Sequence, residues 1–424
     1  MKDFTRIERR LPQLLTELAE PRTPDYFERI VHRTAVSTQR PAWTFLERWI
    51  PMSVATFRGS FASNAPWRNL ALLALLILAI VAGIVAMGSR PRPLPAPFGP
   101  AQPGLVAYDA GGDILTADPA TGAIETLVGG PEPDSQPQWS LDGSRLAFQR
   151  EAGENRSHVF VTDGAGERLT RLTQEALVRV RDLVFSPDGE QLLITSSRDA
   201  RATISVAATD GSGVRTLDLD QTASLPSFRP PDGRSFLFVG GDAFSGAGQG
   251  VFTYDLATGN VRAIIDLIPG AEIVGRPTYS PDGTRIAYGV WVPGQDVNAR
   301  VYTANADGTG SQPVPHPDTC CEANPVWSND GTRLAFTRWR WDDTRLIAVV
   351  PWDQGGVGME FEIPFVYRGI ASWSPDDKWI LVTPTTTEDG SHRSPQVLLD
   401  IERGEVRAIG WETESDPAIQ RLAP

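Results

Sequence analysis

The densest set of side chains able to make strong directed contacts is RWRWDD: Arg338, Trp339, Arg340, Trp341, Asp342 and Asp343. Trp291 lies one repeat earlier. Guanidinium, indole and carboxylate groups side by side supply charge-assisted hydrogen bonds, cation–π contacts and large apolar area. That is the chemistry of a ligand- or partner-binding surface rather than of bond cleavage. The competing reading is that Trp339 and Trp341 extend a strand and pack between neighbouring sheets. Cys320 and Cys321 are adjacent and have no third cysteine to pair with. They could close a vicinal disulfide outside the cell or simply fill a loop, and with His316 they offer at most three metal ligands. The four histidines, at 32, 158, 316 and 392, fit no HExxH pattern. There is no GxSxG elbow, no GxxxxGK[ST] loop and no GxGxxG after a strand, so no cofactor and no resident metal are expected. Acid–base work by carboxylates inside a channel stays open, because a sequence does not place them.

Composition narrows the class. The chain has 424 residues, with 39 Lys+Arg against 52 Asp+Glu and a net charge of −13, which argues against a nucleic-acid partner. Two cysteines exclude a disulfide framework, while 35 prolines and 39 glycines suit many short strands joined by tight turns.

The elements that must carry these residues repeat. Six copies of one phrase occur: QWSLDGSRLAF (138–148), VFSPDGEQLLI (184–194), FRPPDGRSFLF (228–238), TYSPDGTRIAY (278–288), VWSNDGTRLAF (326–336) and SWSPDDKWILV (372–382). The aspartates Asp142, Asp188, Asp232, Asp282, Asp330 and Asp376 are spaced 46, 44, 50, 48 and 46 apart. An apolar triplet starts four residues after each, so strand, tight turn and strand recur in one register. These aspartates are read as structural: the carboxylate accepts turn amides and the following glycine supplies positive φ. Third and fourth strands joined by a Gly-bearing turn complete a four-stranded unit of about 45 residues.

The phrase resembles the TolB-type propeller repeat, whose recurring core is xWSPDGxxLAF, over roughly 103–424. The resemblance implies an all-β propeller. Two departures are local: an extra residue before Asp232, and Asp377 in place of glycine. Residues 105–128 look like strands two to four of a unit, and 411–424 like a lone first strand. Together they make one more blade, giving seven with the ring closed by both termini; six blades is the alternative. The second-to-third and blade-to-blade links are long and irregular, and their face, with its central mouth, is where a site is expected.

Leu70 to Met87 is an uncharged apolar run of 18 residues, long enough as a helix to cross a bilayer. Residues 1–66 hold ten Lys/Arg and seven Asp/Glu, Arg68, Arg90 and Arg92 flank the run, and the chain beyond carries −19. The basic side stays in the cytoplasm. The expected organisation is a cytoplasmic helical head (1–66), a transmembrane helix (67–90), a six-proline linker (91–104) and an extracytoplasmic propeller (105–424) in the plasma membrane. Helical spacing at Phe4, Ile7, Leu11 and Leu14 gives the head apolar faces for the interface or a cytoplasmic protein. The functional expectation is a non-catalytic module of the bacterial envelope that binds a protein or envelope ligand and is not an enzyme. Two alternatives stand beside it. One is a transmembrane regulator resembling anti-sigma proteins, with the propeller as sensor. The other is a hydrolase or lyase working through carboxylates in the channel.

Overall fold

A computed structural model describes residues 98 to 422, apart from 199–200, 242–248, 295–298, 316–320, 343, 354–357, 364–366, 385–393 and 414. The head, the apolar run, most of the proline linker, His316, Cys320 and Asp343 therefore lie outside the described residues, and the expectations placed on them concern sequence only. The described residues belong to the second of two compact units, Pro91–Pro424. They form strands and turns; among them no helix is long and apolar enough to cross a membrane.

The strands follow one antiparallel meander, over and over. An inner strand such as Asp134–Trp139 pairs with Arg145–Glu151, that with Arg156–Asp163, and that with the outer Leu169–Arg171. The next begins at Leu177–Phe185 and the next at Thr222–Phe228. The inner strand after these is broken into Glu272–Ile273 and Thr278–Tyr279, and both halves pair with Arg285–Trp291. Cys321–Trp327 and Tyr367–Trp373 open two more. In the remaining sheet the inner strand is Ala418–Leu422, from the far end of the chain. It pairs with Gln102–Ala110, followed by Asp113–Ala117 and Ile124–Val128.

The apolar triplets explain how sheets stack. Side chains alternate across a strand, so Leu146 and Phe148 face one neighbour and Ala147 the other. Leu146 and Phe148 pack with Ala107, Ile114 and Ala418, while Ala147 packs with Leu183, Leu192 and Ile194 of the following sheet. A strand buried on both faces needs a continuous apolar run, and Leu146, Ala147 and Phe148 are all 0% exposed. Each buried Leu or Phe contributes about 1.5–3 kcal/mol.

The turns show why the repeat keeps its serine. Ser140, Ser186, Ser280, Ser328 and Ser374 each donate Oγ–H to the aspartate two residues on, at 2.5–2.7 Å. The same oxygens accept the amide at the start of the next strand, at 2.9–3.0 Å. Asp232 has no such serine and accepts the Arg234 amide alone among these bonds. Burial pushes the carboxyls of Asp142, Asp282 and Asp330 up, but the serine and amide bonds outweigh it and hold them below the ordinary range.

Two irregular copies meet. Asp377, at φ 58°, stands where other copies carry glycine. Its carboxylate accepts Asn329 N, Asn329 Nδ2 and Asp330 N at 2.7–2.8 Å, and burial pushes its pKa up. Asn329, where most copies have proline, in turn accepts Arg421 Nη1 of the final strand at 3.3 Å. Arg421 Nη2 donates to the Gly99 carbonyl, and Ala101 N–H donates to Pro375 O at 2.8 Å. Asn329 and Asp377, two departures from the phrase, are thus linked to one another and, through Arg421, to the final strand and Gly99.

Candidate functional site

Three positions before the aromatic residue that closes five of the inner strands stand Gln136, Asp182, Leu225, Arg276 and Asn324, and Asp416, followed by proline like four of these, holds the matching place ahead of Ala418–Leu422. All six line one cavity of about 640 Å³. Inner strands run from the loop-bearing face toward the Ser–Asp turn, so this ring lies toward the loops. The backbone presents these residues through bulges. Ladder register shifts between Ser135 and Gln138, Ser224 and Ser227, and Ala323 and Val326. Gln136, Leu225 and Asn324 sit there at φ 55°, 53° and 55°. Left-handed non-glycine residues cost roughly 1–3 kcal/mol each, and such strain gathers at binding and catalytic sites. At the equivalent break Gly275 has φ 84°, and a Cβ on it would stand 2.9 Å from Asn324 Cα, so the close approach of two bulges requires glycine here.

Charge is distributed unevenly around the wall. Arg276 Nη2 meets Asp182 Oδ1 at 2.5 Å across an intervening sheet, and its Nη1 donates to Pro226 O at 3.1 Å. This fixes a guanidinium over one arc. Arg181, exposed, lines the same arc, while exposed Asp416 lies two sheets away from it, beyond Gln136. Trp139 Nε1, Ser372 Oγ and Ser415 Oγ are buried without a hydrogen-bond partner, and all three residues line the cavity. Toward the turns lies a second cavity of about 330 Å³, lined by Phe98, Gly99, Leu141, Pro187, Pro281 and Asn329 among others. The leading segment of the described chain thus lies at that end of the channel.

The residues singled out in the sequence fall elsewhere on the loop-bearing side. Arg338 is 2% exposed and turned inward. Its Nε and Nη2 donate to Glu322 Oε1 at 3.0 and 2.8 Å, and its Nη1 to Glu360 Oε1 at 2.7 Å. Arg340 Nη2 reaches Glu360 Oε2 at 2.5 Å. Burial pushes Glu360 up, but Arg338 and Arg340 outweigh it and hold its carboxyl below the usual range. Trp339 ends a strand opposite Cys321, and Trp291 pairs with Ala299, itself beside Cys321, so the two tryptophans flank a boundary between sheets. Trp341 is 54% exposed, and Asp342 caps the Thr344 amide at 3.0 Å. None of these residues lines the 640 Å³ cavity. Composition drew attention to a dense cluster, whereas the ring residues are scattered singly at one repeat position. The signal for five of the six was a proline one residue further on, Pro137, Pro226, Pro277, Pro325 and Pro417, within or just ahead of a strand.

No family model matches the chain. It is 34% identical over 133 residues to the uncharacterized peptidase YuxL of Bacillus subtilis, covering 30% of this chain and 19% of that protein. The chain therefore spans about a fifth of this relative's length. Among solved structures, an oligogalacturonate lyase in complex with manganese superposes with TM-score 0.54 at 16% identity, over 73% of this chain and 85% of that one. A prolyl endopeptidase structure superposes with TM-score 0.54 at 13% identity, over 83% and 56%. At these identities the likeness shows the fold, a β-propeller, and the TolB-type resemblance holds at that coarser level. The comparisons correct the expectation of a non-catalytic module that is not an enzyme. The curated relative is named a peptidase, and the superposed propellers belong to a lyase and a peptidase.

Proposed function

We propose that this chain is a hydrolase or lyase whose reaction takes place in the loop-side channel of a seven-bladed propeller, the alternative read from its carboxylates. The carrying observation is the strained ring itself, with Asp182 and Arg276 on one arc and Asp416 on another arc of a cavity large enough for a small substrate. Asp416 offers a carboxylate to take or return a proton. Arg276, oriented by Asp182 and the Pro226 carbonyl, offers a fixed positive charge to oxygen that becomes negative during the reaction. Fixing this charge before the substrate arrives removes reorganisation from the chemical step. The manganese named with the lyase neighbour finds no matching donor set: among the described residues no three His, Cys, Asp or Glu side chains stand together. The test is turnover by the purified full chain on peptides and on acidic oligosaccharides, with Asp416→Asn beside it. Turnover that persists in the variant, or none on either class, ends the reading.

The anchored organisation is proposed alongside. The apolar 70–87 run and the change from +3 over residues 1–66 to −19 beyond Arg92 support a single span with the propeller outside the cytoplasm. Protease treatment of intact cells should remove the propeller; full protection would reverse the orientation.

A further inference from the structure

We infer that the loop-side channel binds its ligand by a carboxylate, held by Arg181. The inference deepens the hydrolase-or-lyase reading and rests on the same cavity. Its grounds are the hydrogen-bonding inventory of the wall. Arg276 is engaged by Asp182 and Pro226 O. Arg181 is not: among the described residues it makes no ion pair and no hydrogen bond, although it lines the cavity beside that pair. A guanidinium presents five donors in a fixed fork that matches a carboxylate. The cavity also has unpaired donors on its other arcs. Trp139 is 8% exposed, and its indole N–H, which can only donate, is buried without an acceptor. The Ser372 and Ser415 hydroxyls are likewise unsatisfied. Buried donors left unpaired are costly, so an acceptor-rich ligand relieves them on binding.

The carboxylate Asp416 in the same wall would repel an anion placed beside it. It stands on the arc away from Arg181, with the sheet of Gln136 between them. The cavity is thus polarised across the channel, and the ligand's carboxylate is directed to the Arg181 arc while the rest of the molecule faces Asp416. The turn-side end holds Phe98 and Gly99, with the Gly99 carbonyl tied to Arg421, so the ligand approaches from the loop face. These features fit the acidic end of a linear molecule, whether a sugar acid or a peptide C-terminus.

The test is calorimetric titration of the full chain, in detergent, with trigalacturonate and trialanine, each beside its methyl-esterified form. The expected result is that at least one free acid binds about tenfold or more tighter than its ester. Arg181→Gln should abolish that preference, Arg181→Lys should keep part of it, and Arg234→Gln, at an exposed turn, should leave it intact. The acid that shows the preference identifies its source. Equal binding of acid and ester, a preference that survives Arg181→Gln, or no millimolar binding of either acid overturns the inference. Carboxylate preference without turnover would keep this site and end the enzymatic reading; turnover without the preference would do the reverse.

Discussion

The Ser–Asp turns and the channel ring are built from the same repeat, the serine four and the aspartate six residues after the ring position in the regular copies, and they behave oppositely. At the turn, copy after copy places Ser, Asp and usually Gly in one geometry, and each polar atom is satisfied by a neighbour within five residues. At the ring the same position holds two amides, two carboxylates, a guanidinium and a leucine, three of them at left-handed backbone, with unsatisfied donors nearby. Within one chain, uniformity at a repeat position reports what the fold requires. Diversity at an equivalent position that faces a common cavity reports what the fold is used for.

Four measurements can break or sharpen that contrast. The largest effect is expected in the ring: Asp416→Asn should lower turnover by roughly a hundredfold or more, as loss of a general acid–base group does, with little change in the unfolding midpoint. If stability falls instead, the ring is scaffold. Next comes the buried ion-pair cluster, which belongs to the scaffold side. Arg338→Met leaves Glu322 buried beside a missing cation and should cost about 3–5 kcal/mol in denaturant unfolding, with activity retained in the folded fraction. A smaller pair of effects sets turn against ring directly. Ser280→Ala removes two bonds around Asp282 and should cost about 1–2 kcal/mol. Gln136→Gly relaxes a left-handed residue and should leave stability unchanged or raise it by up to about 1 kcal/mol, while weakening ligand binding.

The gentlest test is acid titration of thermal stability. Asp142, Asp282 and Asp330 have depressed values in the folded chain, so their stabilisation is fully present above the ordinary aspartate pKa of about 3.9 and is lost as pH falls through their folded values. Asp134 and Asp377, raised first by burial, act in the opposite sense and offset part of the loss. The melting temperature should hold from pH 7 to about 5 and decline below about 4. Asp282→Asn should make the decline shallower; an equal slope would mean that the turn carboxylates contribute nothing as ions.

Much of the fold was legible because its causes are local. Asp188 and Gly189 announce a turn, and Leu192, Leu193 and Ile194 announce a strand buried on both faces, without reference to the rest of the chain. The pairing of Ala418–Leu422 with Gln102–Ala110 was legible from two incomplete repeat fragments. The serine that holds each turn together was overlooked beside the more familiar Asp-Gly pair. The ring was not read because its members lie some 45 residues apart and converge only after the sheets stack, and because prolines such as Pro325 mark a bulge rather than the strand end they suggest. Arg338 was drawn to the surface by its neighbours, although its place beside Phe336 on an alternating strand turns it to Glu322 in the interior.

The sheet that joins Ala418–Leu422 to Gln102–Ala110 has a consequence for biosynthesis. Leu105 N–H is hydrogen-bonded to a side chain 315 positions later. The three strands between Gln102 and Val128 leave the ribosome long before their inner companion, Ala418–Leu422, is made. During that interval an unpaired edge stays open to strands of other nascent chains. Slow elongation between Val128 and Ala418 would therefore favour self-association over completion, and a helper that shields this edge would raise the yield of native protein.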